Sequence, residues 1–312
     1  MRIAFIVDPL AKLKAYKDSS IFMMREAAKR GHEVWAFEAH ELFSAGQVSA
    51  HAHRLAVSDD NAAWYRVEAS ATQPLTFFDA VLMRKDPPFN QEYLYSTLLL
   101  SLAEQQGAWV VNRAASLRDY NEKLAILKFE RFTSPTLVTA EMARVHAFIN
   151  EHRDVIVKKL DGMGGTSIFR VRADDPNRNA IVEVQTVEGR ETIMGQRYIP
   201  DIVNGDKRVL VIDGKVVPFC LARIPKAGET RGNLAAGGRG VAQPISARDR
   251  EIAEALGPQL KADGLTIVGL DIIGECLTEV NVTSPTCFVE IFEQAGFNAA
   301  ALVVDALEGR GG

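Results

Sequence analysis

VIVKKLDGMGGTSIFRV, residues 155–171, is the stretch on which the reading of the whole chain turns. Val155, Ile156 and Val157 form a β-branched run of the kind that fits a buried strand, and Ser167 to Val171 read as its partner. Between them, Asp161-Gly162-Met163-Gly164-Gly165 places three glycines in four positions. Such a turn lets successive backbone N–H groups converge on an anion. It is neither a Gly-Lys-Ser/Thr phosphate loop nor a G-x-G-x-x-G turn after the first strand. A strand, glycine loop and strand suggest a flap over a nucleotide, although the same pattern also describes a plain hairpin with a long turn.

Working outward, 312 residues with 47% hydrophobic and 24% charged content can bury a large core divided into two or three packed units. A net charge of −4 argues against general nucleic-acid or anionic-membrane binding. The three cysteines, Cys220, Cys276 and Cys287, lack C-x-x-C spacing, so neither a disulfide framework nor a zinc site is expected, and a reducing cytoplasm fits. The opening apolar run is too short for a signal peptide, and no stretch is long enough for a membrane span.

Arg2–Val7, a helix over Ser20–Arg30 and Val34–Phe37 make a β–loop–α–β unit, which predicts a parallel α/β sheet whose strand ends face a ligand crevice. Asp79–Met83 runs into Arg84-Lys85-Asp86-Pro87-Pro88, an unusual concentration of charge at a strand end. His51 and His53 share a strand face without further metal ligands in view and read as surface residues. A helix over 91–106 and a strand over 108–111 follow, then a polar loop from Asn112 to Tyr120. Units are expected over 1–120, 121–199 and 200–312, with Lys123 in the first turn of a helix over 121–132 and Ile199-Pro200 as a hinge.

In the last unit, Asp206–Ile212 and Lys215–Arg223 form a hairpin across Asp213-Gly214. The segment 224–240, IPKAGETRGNLAAGGRG, is glycine-rich with two arginines and reads as a lid that orders on ligand. Asp271 lies in an apolar strand, and Glu279 and Asn281 share one face of the next strand. Three hard oxygen ligands suit Mg²⁺ held together with nucleotide phosphates, in preference to two solvated carboxylates. With Lys123, Lys158, Arg208, Arg223, Arg231 and Arg239, they describe phosphoryl transfer from ATP.

The residues K-DGMGG from Lys158, Lys207-Arg208, ARIP at 222–225, the lid, GLDIIG at 269–274 and TEVNVTSPT at 278–286 resemble the ATP-grasp ligases. MRKDPPF at 83–89 and SLRDYNEK at 116–123 are similar to the bacterial glutathione synthetases within that group. The resemblance implies an ATP-grasp fold preceded by a parallel α/β domain. It also implies ATP-dependent joining of γ-glutamylcysteine to glycine through an acyl phosphate, and a cytoplasmic homotetramer. By the same resemblance Lys123, Lys158 and the glycines Gly162, Gly164 and Gly165 meet the nucleotide phosphates, and Gln196, Arg197, Tyr198 and Ile199 meet adenine. Arg208 and Arg223 would hold the γ-phosphate, with Arg231 and Arg239 over the oxyanion. Asp271, Glu279 and Asn281 would hold Mg²⁺ or Mn²⁺, and Arg84, Asp86, Asn112 and Ser284 are the substrate-facing candidates. The rival readings are another carboxylate–amine ligase, making a dipeptide or adding glutamate to a protein tail, a nucleotide-binding regulator and a dinucleotide-dependent oxidoreductase. The regulator would have no use for a complete ligand triad and lid, and the oxidoreductase lacks its glycine fingerprint.

Overall fold

Three β-sheets, built one after another along the chain, organise the computed structural model, which describes residues 1–162, 164–226, 228, 232 and 237–310. The first holds β1 (Arg2–Ile6), β2 (Glu33–Phe37), β3 (Leu42–Ser44), β4 (Val48–Val57), β5 (Tyr65–Pro74), β6 (Ala80–Met83) and β7 (Val110–Val111). Its order is β3-β4-β2-β1-β6-β7, with β5 added along β4. The strands β2, β1, β6 and β7 run parallel, as the opening βαβ pattern predicts. Ile3–Ile6 and Ala80–Met83 are buried throughout, because helices cover both faces of such a sheet. The strand ends deliver Arg84 and Asn112 to one edge. Those helices are α1 (Ser19–Lys29), capped by Asp18 on the N–H groups of Ser20 and Ile21, α2 (Gln91–Gln105) and the short α3 (Ala114–Asp119).

The second sheet, in order β10-β9-β11-β8, comprises β8 (Thr136–Thr139), β9 (Asp154–Lys159), β10 (Ile168–Arg172) and β11 (Ile193–Arg197). The helices α4 (Met142–His152) and α5 (Arg178–Thr186) pack on one face. Val145, Ile149, Val155, Val157, Val171, Val182 and Ile193 form a core of their own. The third sheet is antiparallel, in order β14-β13-β12-β15-β16: β12 (Asp206–Ile212), β13 (Lys215–Ile224), β14 (Arg239–Pro244), β15 (Ile267–Ile273) and β16 (Cys276–Asn281). It is flanked by α6 (Ala247–Ala262), α7 (Phe288–Ala295) and α8 (Ala299–Glu308), and its two faces contribute to the cores that also contain the first sheet. Among the described residues no helix is long and apolar enough to cross a membrane.

Three local expectations change. The helix expected over 121–132 is a run of 3-10 turns, Leu124–Phe132, interrupted at Phe129. Asn121 Oδ1 takes the N–H groups of Lys123 and Leu124, and the Glu122 carbonyl accepts from Val280 N, so this carbonyl is tied to β16. The polar loop 112–120 contains α3. The strand that carries His51 and His53 is one arm of a long hairpin, β4 and β5, and α5 arises in a β-branched stretch whose helix propensity is weak. Residues at the end of the expected lid, including Arg239, belong to β14, where Arg239 pairs with Ile224. The remainder of that segment, with Arg231, lies largely outside the described residues.

Asn112 is also corrected. Its Nδ2 donates to the carbonyls of Ile267 (2.8 Å) and Val282 (2.7 Å), and its Oδ1 accepts from Ile267 N (2.8 Å). A fully buried amide so committed joins the first unit to β15 and the end of β16, and both its N–H donors are in use before any substrate arrives. Asn112→Ala leaves an N–H and two carbonyls of the backbone unpaired in the interior, which costs about 2–4 kcal/mol. Urea unfolding should show this as a lower midpoint with an unchanged slope, and an unshifted midpoint would contradict the stapling role.

Candidate active site

Alternating charge runs across one face of the third sheet. Register places Asp206 opposite Arg223, Arg208 opposite Asp271, Asp271 opposite Glu279 and Gly269 opposite Asn281. Strand periodicity then puts all these side chains on the same face. Gly269 makes room for this row: a Cβ there would come within 2.7 Å of Arg208 Cδ and 2.9 Å of Pro285 Cβ. The neighbouring Lys207 points away and pairs with buried Asp249 of α6.

Arg208 grips Asp271 with both Nε (2.5 Å) and Nη2 (3.1 Å). Arg223 Nη2 bonds to Asp206 Oδ2 at 2.5 Å and lies 2.8 Å from Asp271 Oδ2. Arg208, Arg223 and Asp271 are buried, and Asp206 is half-buried. Burial would raise the Asp271 carboxyl, but the two guanidinium groups outweigh it and hold the group down to about 2. Asp206 has the opposite fate. Burial, assisted by the nearby charges of Asp271 and Glu279, outweighs Arg223 and pushes its carboxyl up to about 7, and among the described residues its Oδ1 has no hydrogen-bond partner.

Two lysines face this row, Lys123 before the 3-10 run and Lys158 from the second sheet. Lys123, 2% exposed, pairs with Glu122, donates to the Gly162 carbonyl at 2.6 Å and stands 3.9 Å from Glu279. Burial opposes its charge, yet Glu279 and Glu122 raise it above its usual range. Lys158 on β9 reaches Glu279 at 3.4 Å. The glycine loop closes the arrangement, with Gly164 and Gly165 at φ of 62° and 84°. A side chain at Gly162 would meet the Thr166 carbonyl at 3.0 Å.

Behind the lysines, Ile156, Ile168, Tyr198, Ile199 and Ile202 line an apolar slot. Arg170, paired with Asp154, lies 3.6 Å over the Tyr198 ring and holds it in place. The N–H groups of Arg197 and Tyr198 already donate to the Pro135 and Asp154 carbonyls, so in that run a base would be met by other backbone groups. Gly232 is buried, packed against Asp206 and the Arg223 backbone.

Three of the four substrate-facing candidates meet where the first and third units touch. Arg84, 4% exposed, donates to Ser20 Oγ (3.2 Å) and the Pro285 carbonyl (2.9 Å), while Ser284 Oγ donates to the Arg84 carbonyl (3.2 Å). Arg84 Nη1 is buried without a partner among the described residues. Burial draws this guanidinium below its ordinary range and pushes Asp86 above its own. Sequence reasoning missed Asp206 and Glu122, which adjoin Arg208 and Lys123. The signal for Asp206 was its place two residues before Arg208, on the same strand face.

Asp271, Glu279 and Asn281 offer two carboxylates and an amide oxygen on one face, with the Asn281 Nδ2 directed to the Gly269 carbonyl at 3.3 Å. This donor set is hard and fits a divalent cation, although each carboxylate is already matched to a cation of the protein.

The sequence matches the prokaryotic glutathione synthetase N-terminal domain over residues 1–118 and the prokaryotic glutathione synthetase ATP-grasp domain over residues 122–296. The chain belongs to the prokaryotic glutathione synthetase family. It is 55% identical over 312 residues to the glutathione synthetase of Neisseria meningitidis serogroup B, covering 98% of each chain. It is likewise 55% identical to that of Bordetella parapertussis over the whole of both chains, and 51% identical to that of Pseudomonas aeruginosa, covering 98% and 97%. Its fold is that of the ATP-grasp ligases. The D-cycloserine synthetase DcsG superposes with a TM-score of 0.69 at 15% identity, covering 99% of this chain and all of that one. The ATP-grasp ligase PsnB, complexed with a minimal precursor, gives 0.65 at 18%, covering 99% of each.

The opposed shifts in the charged row make a pH prediction. Asp206 has its folded value raised, so its contribution falls as pH rises from about 4, the unfolded value, to about 7. Asp271 has its value lowered, so its contribution is present above about 4 and is lost as pH falls toward about 2. Asp206→Asn should therefore flatten the loss of stability between pH 4 and 7 and leave the acid limb below pH 4. A pH series of thermal unfolding in which the variant keeps the wild-type slope between pH 4 and 7 would refute the buried, proton-holding state of Asp206.

Proposed function

We propose that the chain is an ATP-dependent carboxylate–amine ligase that joins γ-glutamylcysteine to glycine and releases ADP and phosphate. The observation that carries this reading is the charged row itself, two buried arginines on acidic partners with two lysines facing them, in a chain of the glutathione synthetase family. A carboxylate is a poor acyl donor. One oxygen of the cysteinyl carboxylate attacks the γ-phosphorus, the bond to the β,γ-bridging oxygen breaks, and ADP leaves. The glycine amine then attacks the carbonyl of the acyl phosphate, loses a proton, and expels phosphate as the amide forms.

Lys123 and Lys158 neutralise the nucleotide phosphates, and Gly162, Gly164 and Gly165 let the flap approach them. Arg208 and Arg223 take the γ-phosphoryl oxygens by exchanging their carboxylate partners for phosphate. The apolar slot between Ile156 and Ile202 receives the base, with backbone contacts from Gln196 and Ile199. Asp271, Glu279 and Asn281 would hold Mg²⁺, or Mn²⁺, whose charge offsets that of the transferring group. Arg84, with an unpaired Nη1, and Asp86 fit the charged ends of the γ-glutamyl moiety. Ser284 holds the Arg84 backbone beside them. In this proposal residues 224–240 keep water from the acyl phosphate, and Arg231 and Arg239 stabilise the tetrahedral oxyanion, on the composition of that segment alone. The cytoplasmic setting and the tetramer rest on the family resemblance.

The decisive measurement is ADP release in the presence of each acceptor separately and both together. The expected outcome is turnover only with γ-glutamylcysteine and glycine, and equal turnover with either alone or with D-alanine would overturn the reading. Glu279→Gln should lower kcat by about 10²-fold or more, because it withdraws charge felt by the transferring phosphoryl group. Binding of Mg²⁺-free nucleotide should change little, and wild-type kcat would remove Glu279 from the metal site.

A further inference from the structure

One ion pair of the second sheet stands outside both the core and the charged row. Strand register puts Asp154, Ile156 and Lys158 of β9 on one face with Ile168, Arg170 and Arg172 of β10. The other face carries Val155, Val157 and Val171 into the core beneath α4 and α5. Arg170 and Asp154 therefore share their face with Ile156 and Ile168, which line the apolar slot, and they take no part in that core.

The pair is closed around Tyr198, which also lines the slot. Arg170 Nε donates to Asp154 Oδ1 at 2.9 Å and Nη2 to Oδ2 at 2.6 Å, a planar two-point grip that fixes the guanidinium. The carbon of the same guanidinium lies 3.6 Å from the centre of the Tyr198 ring. The backbone of Asp154 completes the loop, its carbonyl accepting from Tyr198 N at 3.0 Å. Tyr198 is thus held at its main chain and at its ring by two residues that do not themselves line the slot. An ion pair open to solvent contributes little to stability as a rule. Arg172, exposed and 3.8 Å from the same carboxylate, makes a pair of that ordinary kind. What Arg170 adds is the rigid placement of an aromatic wall, and a planar base packs well on such a wall.

We propose that Arg170 is a positioning residue for the nucleotide base: gripped by Asp154, it fixes the Tyr198 ring as a wall of the slot and so sets nucleotide affinity without reaching the phosphates that react. The proposal rests on the reading of this cleft as an ATP site and needs no particular acceptor. A Tyr198 ring set free by loss of the guanidinium must be ordered when the base arrives, and that cost weakens binding. Contacts to the base are the same before and during phosphoryl transfer, so their loss raises KM and leaves kcat alone.

Calorimetric titration of the full chain with ADP, and separately with inorganic tripolyphosphate, tests it. Arg170→Ala should weaken ADP about fivefold to twentyfold and raise KM for ATP by the same factor, with kcat within about twofold of wild type. Tripolyphosphate, which has no base, should bind this variant as it binds wild type. Arg170→Lys still offers Asp154 a partner and the ring a cation, and should hold ADP within about threefold of wild type. Arg172→Ala should change neither ligand. Unchanged ADP affinity in Arg170→Ala, an equal loss of tripolyphosphate, no rescue by lysine, or a fall in kcat at constant KM would each overturn the proposal. Wild-type protein that binds no ADP would overturn the nucleotide reading with it, whereas turnover with an acceptor other than glycine would overturn only the reaction assigned above.

Discussion

Two arginines and two aspartates, Arg208, Arg223, Asp271 and the half-buried Asp206, crowd one sheet face, and the site is built around satisfying them. Removing charges from water is expensive, and a buried ion pair recovers that cost only with close, well-directed contacts. Here the fork of Arg208 on Asp271 and the shared reach of Arg223 supply those contacts for Asp271. Among the described residues Asp206 Oδ1 has no partner, which makes it the least satisfied member. The row is therefore tight at its centre and strained at one end, on the side where Gly232 packs.

Such a row is organised for exchange of partners. Each acidic group that would hold a cation is matched to a lysine or arginine that would hold phosphate. In the reaction proposed above, Arg208 and Arg223 would hold phosphate while Asp271 would help hold a metal ion, whose charge would take the place of the guanidinium groups beside that carboxylate. Either ion alone leaves part of the row uncompensated in a poorly solvated place. On that reading uptake of the two together would be favoured, by the counter-ions already present in the protein.

Much of this was legible in the residues. The parallel opening unit, the strand pair around the glycine loop and the alternation of Asp271, Glu279 and Asn281 are local patterns, which period-two reading recovers without tertiary knowledge. What the residues concealed depends on contacts far away in sequence. Asn112 looked like a polar residue at a strand end facing substrate, and only the carbonyls of Ile267 and Val282 reveal its use as a staple. The helix expected over 121–132, with Lys123 in its first turn, fails at its start because the Glu122 carbonyl is tied to Val280 N across the fold. Asp206 read as the first residue of a hairpin, since nothing local says that Arg223 and Asp271 will surround it.

The cysteines bear on how such a chain can handle a thiol-bearing substrate. Cys287 sits near Arg208 and Arg223, whose charge would favour a thiolate, but burial outweighs them and raises the thiol above its usual range. Cys220 is likewise buried and pushed up to about 11, and Cys276 is raised by partial burial. Thiolate, not thiol, attacks disulfides and carbonyl carbons. Cys287 in particular, beside the arginines assigned to the γ-phosphate, is kept in the unreactive form at neutral pH. The acyl phosphate route assigns no step to a protein nucleophile, and the buried thiols are what such a route tolerates: side chains that fill space near the arginines without capturing the activated acyl group or forming mixed disulfides with the substrate.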